Sequence, residues 1–407
     1  MTQTTLNPTD LVLVRALAEE VAAIAASPEN EAIKQRWRDV NALRTPDRPP
    51  VWCRPVGAWS EILPPEALEC EDPELRGYEH ALRMALVKHD IGDDTPVEGF
   101  WPVGAALRVD PANTWGVDVQ RHSSGAEGGA WAFDPPLKCE ADFDSLRVPR
   151  YELDQAETDR RMERVHDILG DSLPPRLSLQ CPLQPRLGGY AADLRGLEQI
   201  SLDMALEPGL MHRLMGFLRD ATLQAMDDIL ATGRLTRNNL GPMMCSDPIG
   251  QEHEDGATGY DNLWCLTESQ ELGHVSPAMW EEFLLEYQLP ILERYGLTGY
   301  GCCEDLTHKI DGVLRIPNLR IFVCSAWTDL DRLLERVPES VVIMWRQKAS
   351  DVVFPDDLET LRSDLVEGTR KLSGRPYQIV LRELQTLAGH PRRLHDWTRL
   401  AIEAASN

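Results

Sequence analysis

Short apolar runs alternate with longer amphipathic stretches along most of this chain, and this alternation constrains the fold more than any other feature. Short apolar runs bounded by glycine, proline or polar residues predict buried strands, and amphipathic stretches of helical period predict helices. Strands that are separated by helices form parallel sheets. The chain is therefore predicted to be an α/β protein.

Eight apolar runs fit the strand description. In chain order they are PPVWCRPV, TPVEGFWPV, PRLSLQCPL, YDNLWCLTESQE, GLTGYGCCE, NLRIFVCSAW, SVVIMWRQ and YQIVLREL. Eight βα units close naturally into a (β/α)8 TIM barrel, which is the predicted fold, with a doubly wound open sheet as the alternative. We expect an N-terminal helical extension over residues 1–48 and the barrel over residues 49–407.

Two turn-rich segments, residues 105–150 and 236–260, are longer than a minimal barrel needs. Long loops in compact domains are usually functional or disordered. We expect both segments to be long βα loops over the carboxyl ends of the strands, where a barrel builds its active site.

The charge balance and the cysteine count exclude several classes of protein. The 407 residues carry a formal net charge of -25, which argues against nucleic acid and anionic membranes as partners, since both attract clustered Lys and Arg. The N-terminal segment carries charges within its apolar stretch, and no apolar run is long enough for a membrane span. Nine cysteines, an odd number, fit reduced thiols, so we expect a cytoplasmic protein.

Polar side chains gather where the later strands are predicted to end. Thiolate, carboxylate and imidazole groups at a barrel mouth suit a catalytic zinc ion. The residues predicted to bind the metal are Cys303, Cys324, Glu304 and His308. Adjacent strand residues face opposite ways, so Cys302 is expected in the core. The alternative is structural, because free cysteines commonly pack as small hydrophobes and His308 also fits an exposed loop.

Glu268, Gln270 and Arg346 are the predicted catalytic residues. Glu268 directly follows the run NLWCLT, where burial would raise its pKa and suit it to acid–base work. A salt-bridged or helix N-terminal glutamate is the alternative. Gln270 is expected to orient the substrate, and Arg346 is assigned to a carboxylate group of the substrate in the second functional hypothesis below.

The helix VSPAMWEEFLLEYQLPIL leading into GLTGYGCCED, and the unit IPNLRIFVCSAWTDLDRLLERV, resemble the uroporphyrinogen decarboxylase superfamily. That superfamily includes corrinoid-dependent methyltransferases and is related to the cobalamin-independent methionine synthase barrel. The resemblance extends over roughly residues 50–400. In the methyltransferase branch it implies a zinc ion at the mouth, held by a His-x-Cys pair. Here Cys303 matches the cysteine and Gly301 stands at the histidine position, and the final ligand has only Glu383 nearby.

The resemblance implies a methyltransferase that moves a methyl group between an O- or N-methylated small molecule, or a thiol, and a corrinoid protein. The expected cofactors are zinc and a corrinoid on a partner protein, and the expected partners are a small-molecule substrate, the corrinoid carrier and a second copy of the chain. The second hypothesis is a metal-free decarboxylase or lyase that uses Glu268 and Arg346 on a carboxylated substrate. A barrel that only binds a ligand is a third.

Overall fold

The computed structural model of the protein describes residues 6–123, 131–251, 253, 256–355 and 357–406. The strands are β1 (Val51–Pro55), β2 (Trp101–Gly104), β3 (Leu107–Asp110), β4 (Gln120–Ser123), β5 (Trp131–Asp134), β6 (Arg150–Leu153), β7 (Pro175–Ser178), β8 (Trp264–Thr267), β9 (Leu297–Tyr300), β10 (Leu319–Cys324), β11 (Val342–Gln347) and β12 (Tyr377–Leu384).

The α-helices are α1 (Pro8–Ala25), α2 (Pro28–Asn41), α3 (Trp59–Ile62), α4 (Pro73–Ile91), α5 (Gln155–Leu169), α6 (Leu187–Arg195), α7 (Leu197–Leu206), α8 (Pro208–Ala231), α9 (Pro277–Trp280), α10 (Glu286–Leu292), α11 (Ile310–Val313), α12 (Leu330–Arg336), α13 (Ala349–Val353), α14 (Glu359–Leu372) and α15 (Arg393–Ala405). A π-helical turn, Glu281–Leu285, joins α9 to α10. None of the helices in the described ranges is long and apolar enough to cross a membrane.

The sheet topology confirms a mixed α/β fold built on parallel strands. Six strands form one parallel sheet in the order β1-β12-β11-β10-β9-β8. Strands β2 and β7 form a separate parallel pair, so each of the eight predicted runs contains a parallel strand. The ladders of the described residues do not join this pair to the six-stranded sheet. Barrel closure therefore stays a prediction.

The two faces of the six-stranded sheet bury different side chains. On the outer face, Phe322 and Ile379 belong to the same apolar cluster as Leu365 of α14 and Trp397 of α15. The alternate residues of the strands point to the opposite face and form a second apolar cluster with α2. We call this face the inner face. Its strand members are Trp52, Trp264, Ile321, Val323, Val342, Met344 and Val380. Because the side-chain period of a strand is two, this assignment fixes which residue of each strand end faces inward.

Helix α2 of the N-terminal extension is packed under the amino ends of the strands, whereas α1 packs against α4 and α5. Trp37 of α2 lies in the inner-face cluster and is fully buried. The Asp94 carboxylate, itself 1% exposed, accepts hydrogen bonds from Arg36 at 2.5 Å and Arg48 at 2.6 Å, and from the amide of Val51 at 2.7 Å. These contacts tie residues 36–48 to the start of β1 and to the segment that precedes β2.

The two long segments differ from the sequence expectation. Residues 105–150 contain β3, β4 and β5, with β3 paired antiparallel to β6 and β4 to β5, and residues 124–130 lie outside the described part. The described part of residues 236–260 does not cover the carboxyl ends of the strands: the side chain of Asn41 in α2 donates to the carbonyls of Met243 and Cys245. The reason is topological, because this segment leads from α8 into the amino end of β8.

Candidate active site

Beyond the buried part of several strands, the next inner-face position is occupied by a charged side chain. Each lies two residues after an inner-face hydrophobe, so the period of two directs it toward the same face of the sheet. The residues that occupy these positions are Arg54 after Trp52, Glu268 after Leu266, Arg346 after Met344 and Arg382 after Val380. Glu268 and Arg346, which the sequence predicted, thus lie at the carboxyl ends of the parallel strands, and Arg54 and Arg382 join them.

Gly301 directly follows β9 and turns the chain, so that the thiols of Cys302 and Cys303 both lie at this end of the sheet. Its φ of 117° lies in the region that favours glycine. A Cβ there would lie 2.9 Å from Val323 Cβ. Cys302 and Cys303 are both half-buried, with their Sγ atoms 3.7 Å apart. Strand alternation has already ended at this point, so Cys302 is not in the core as expected.

The two adjacent thiols are hydrogen-bonded to each other and lie beside the guanidinium of Arg346. Arg346 Nη1 donates to the carbonyl oxygen of Cys302 at 2.7 Å and lies 3.8 Å from its Sγ atom. A hydrogen bond from Cys303, assisted by the positive charge of Arg346, lowers the pKa of Cys302 below that of an ordinary thiol. The same hydrogen bond raises the pKa of Cys303. Because Arg346 Nη1 lies 3.8 Å from Cys302 Sγ and 4.0 Å from Cys303 Sγ, its positive charge favours a thiolate in this pair, with Cys302 the closer of the two.

Glu304 holds the ends of β8 and β9 together. Its carboxylate accepts hydrogen bonds from the amide of Ser269 at 2.8 Å, the hydroxyl of Ser269 at 3.1 Å and the amide of Cys302 at 2.9 Å. The side chain is 6% exposed. This carboxylate is thus already occupied as a hydrogen-bond acceptor and positions the thiol pair relative to Glu268.

Glu268 is half-buried and keeps its proton at neutral pH. Burial, followed by repulsion from Glu271, raises the pKa of Glu268 to about 8. The charges of Glu304 and Cys302 act in the same direction, which places Glu268 within electrostatic reach of both. A neutral carboxylic acid in this position can donate a proton to a departing group. Gln270 donates its backbone amide to Glu268, while its side chain is exposed.

A buried chain of hydrogen bonds fixes the backbone at Glu268. Gln288 donates to the carbonyl oxygen of Glu268 at 3.1 Å and accepts from the hydroxyl of Tyr300 at 3.0 Å. That hydroxyl in turn accepts from the indole of Trp280 at 3.1 Å. Sequence reasoning missed these residues, although a glutamine inside the apolar helix EYQLPIL was a usable signal, because a buried amide needs polar partners.

Cys324 and His308 are placed differently from Cys303. Cys324 is buried in the outer-face cluster, with its Sγ atom 3.7 Å from the carbonyl oxygen of Thr328, and burial raises its pKa to about 12. The inner-face position beyond Val323 is instead Ser325. His308 is exposed.

The donor groups do not fit the predicted zinc ion as they are arranged. In the described ranges no group of three or more His, Cys, Asp or Glu side chains is placed to hold one metal ion. Glu304 is committed to backbone donors, and Cys324 packs between the sheet and its helices. The thiols of Cys302 and Cys303, with Glu268 and Arg346, form the arrangement that remains, and it can bind an anion and move a proton.

No family model matches the chain, and no curated protein sequence matches it. Its fold is similar to that of a solved structure, a methyltransferase from Methanosarcina mazei, with a TM-score of 0.53. The similarity covers 92% of this chain and 98% of that chain at 10% sequence identity. At so low an identity the likeness shows the fold alone.

Proposed function

We propose that the protein is a methyltransferase that moves a methyl group between an O- or N-methylated small molecule, or a thiol, and a corrinoid protein. The observation that carries the proposal is Glu268, an acid held neutral by burial beside the thiol pair. The similarity in fold to a methyltransferase supports it. We also propose that β2 and β7 fill the gap between β1 and β8, which would complete a (β/α)8 barrel.

Loss of a methyl group from oxygen or nitrogen leaves an alkoxide or an amide anion, and these are poor leaving groups without a proton. Glu268 would supply that proton from its carboxyl group as the bond between the heteroatom and the methyl carbon breaks, and it would then be a carboxylate. The corrinoid of the partner would supply the nucleophile for the methyl carbon. Arg346 would hold the substrate, and Gln270, whose side chain is exposed near Glu268, would orient it.

These steps are written for the chain's own residues, and zinc stays a prediction, since the predicted ligands do not form one cluster within the described ranges. Its presence is decided by elemental mass spectrometry on the wild type and on the Cys303→Ser, Cys324→Ser double variant. About one zinc per chain in the wild type and none in the double variant would support the metal hypothesis. Equal amounts in both proteins would remove Cys303 and Cys324 as ligands.

The test of methyl transfer follows the absorption spectrum of reduced cobalamin during incubation with a set of O- and N-methylated donors. We expect methylation of the corrinoid in the wild type and a loss of about a hundredfold in rate in Glu268→Gln, the scale of general acid catalysis. Glu293→Gln is the matched control, since Glu293 is exposed at the C-cap of α10. An unchanged rate in Glu268→Gln would refute the assigned role.

One observation favours a second candidate, a metal-free decarboxylase or lyase. The Arg346 guanidinium is 6% exposed and its Nε atom has no hydrogen-bond partner among the described residues, as expected where a substrate carboxylate binds. Loss of carbon dioxide would leave a carbanion, which Glu268 would protonate. Release of carbon dioxide from carboxylated substrates without corrinoid would support this candidate over methyl transfer.

A further inference from the structure

Two arginines on neighbouring strands carry buried positive charge beside Cys302. Arg346 of β11 is 6% exposed, and the side chain of Arg382 of β12 is 16% exposed. Each has an Nε atom that is buried and without a hydrogen-bond partner within the described ranges. A buried donor without an acceptor costs free energy, and a buried charge costs more. Both arginines therefore have unused capacity to bind an acceptor.

Among the described residues, neither guanidinium forms an ion pair with a buried carboxylate. Cys302 Sγ lies 3.8 Å from Arg346 Nη1, and the Glu383 carboxylate lies 3.4 Å from Arg382, with a side chain that is 42% exposed. Arg54 adds a third positive charge within electrostatic reach of Arg382. Burial, followed by repulsion from Arg346, lowers the pKa of Arg382. Positive charge is thus concentrated at this point of a chain whose formal net charge is -25.

Three other arginines with a buried Nε atom show that an unpartnered Nε atom alone is not enough to indicate a binding site. Arg320, Arg375 and Arg393 also have one. Each donates a terminal nitrogen to a backbone carbonyl, as Arg346 also does. Arg320 and Arg375 lie at the amino ends of β10 and β12, and Arg393 begins α15. What distinguishes Arg346 and Arg382 is that two such groups lie together on adjacent strands and beside a nucleophilic thiol.

From this juxtaposition we infer that Arg346 and Arg382 form a carboxylate-binding subsite, which holds the acidic group of the small-molecule substrate next to Cys302. The planar guanidinium fork matches a carboxylate in geometry and charge. A carboxylate at this point offsets the two positive charges, and it directs the rest of the molecule across the mouth toward Glu268. That this molecule is the methyl donor rests on the proposed function, whereas the subsite does not.

The subsite is tested by alkylation of Cys302 with an anionic and a neutral reagent of the same shape. Iodoacetate and iodoacetamide each lose iodide as the thiolate sulfur bonds to the methylene carbon. Peptide mass spectrometry gives the ratio of the two rates at Cys302 and, in the same sample, at the exposed Cys139. We expect the iodoacetate to iodoacetamide ratio to be about tenfold higher at Cys302 than at Cys139. The ratio is independent of the thiolate fraction, because both reagents need the thiolate.

Arg382→Gln should bring the ratio at Cys302 to that at Cys139, whereas Arg375→Gln, at the other end of the same strand, should leave it high. Equal ratios at both cysteines in the wild type, or an equal fall in both variants, would overturn the subsite. Millimolar benzoate should protect Cys302 from iodoacetate. Protection by inorganic phosphate and none by benzoate would overturn the carboxylate assignment. None of these readouts requires methyl transfer, so the subsite and the proposed function fail separately.

Discussion

Replacing Glu304 with glutamine tests whether its carboxylate stabilises the fold or binds a metal ion. The carboxylate accepts three hydrogen bonds from Ser269 and Cys302. Glutamine keeps one acceptor oxygen but turns an NH2 group toward at least one backbone donor. One charge-assisted hydrogen bond contributes about 1.5–3 kcal/mol, and the orphaned buried N–H costs about 1–3 kcal/mol more. We expect a free energy of unfolding lower by about 3 kcal/mol, the lower end of that combined range.

The unfolding entropy of about 2.1 cal/mol/K per residue converts this loss into a decrease of roughly 3–4 °C in Tm for a chain of this length. Differential scanning calorimetry at a fixed scan rate measures the decrease, and Glu293→Gln is the control at an exposed site. The same decrease should appear with and without a chelator. A decrease that vanishes in the chelator would indicate a metal ligand, and a change below about 1 °C would refute the structural role.

Three further predictions follow from the same contacts. The rate of methyl transfer should fall as pH rises through about 8, because Glu268 then loses the proton that it donates, and Glu268→Gln should show no such limb in its pH profile. Tyr300→Phe removes the hydrogen bonds of its hydroxyl with Gln288 Oε1 and with the indole N–H of Trp280, and urea unfolding should show a loss of about 2 kcal/mol. Asp94→Asn removes the charge between two arginines and should cost about 3 kcal/mol by the same measurement, whereas Asp47→Asn, at a side chain that is 65% exposed, should cost less than about 1 kcal/mol.

The strands could be predicted because each has a strong local signal. Apolar runs bounded by proline or glycine located all eight parallel strands. The register within a run was harder to predict. In NLRIFVCSAW nearly every position is apolar, so alternation cannot show which face a residue occupies. A shift of one residue decides between Cys324, on the outer face, and Ser325, on the inner face.

The candidate site could likewise be predicted only where the sequence carries a local signal. Glu268 and Arg346 were predictable because each is a charged residue just beyond an apolar strand. The proximity of Arg382 to Arg346 depends on the pairing of β11 with β12, in which Arg346 lies opposite Val380. The thiol geometry depends on the positive φ of Gly301, which no pattern of hydrophobicity encodes. The location of residues 236–260 could have been predicted, because a segment that precedes a strand leads into the amino end of that strand.

The pairing of β1 with β12 has a consequence for how the protein is made. In the described ladders β12 is the strand that hydrogen-bonds to β1, and Val51 pairs with Ile379 across nearly the whole length of the chain. During synthesis on the ribosome, β1 emerges early and must wait for Tyr377–Leu384. Its backbone groups meanwhile lack their final partner, and unpaired strand edges are prone to aggregate. Newly made chains should therefore depend on chaperones until the last strand has been translated.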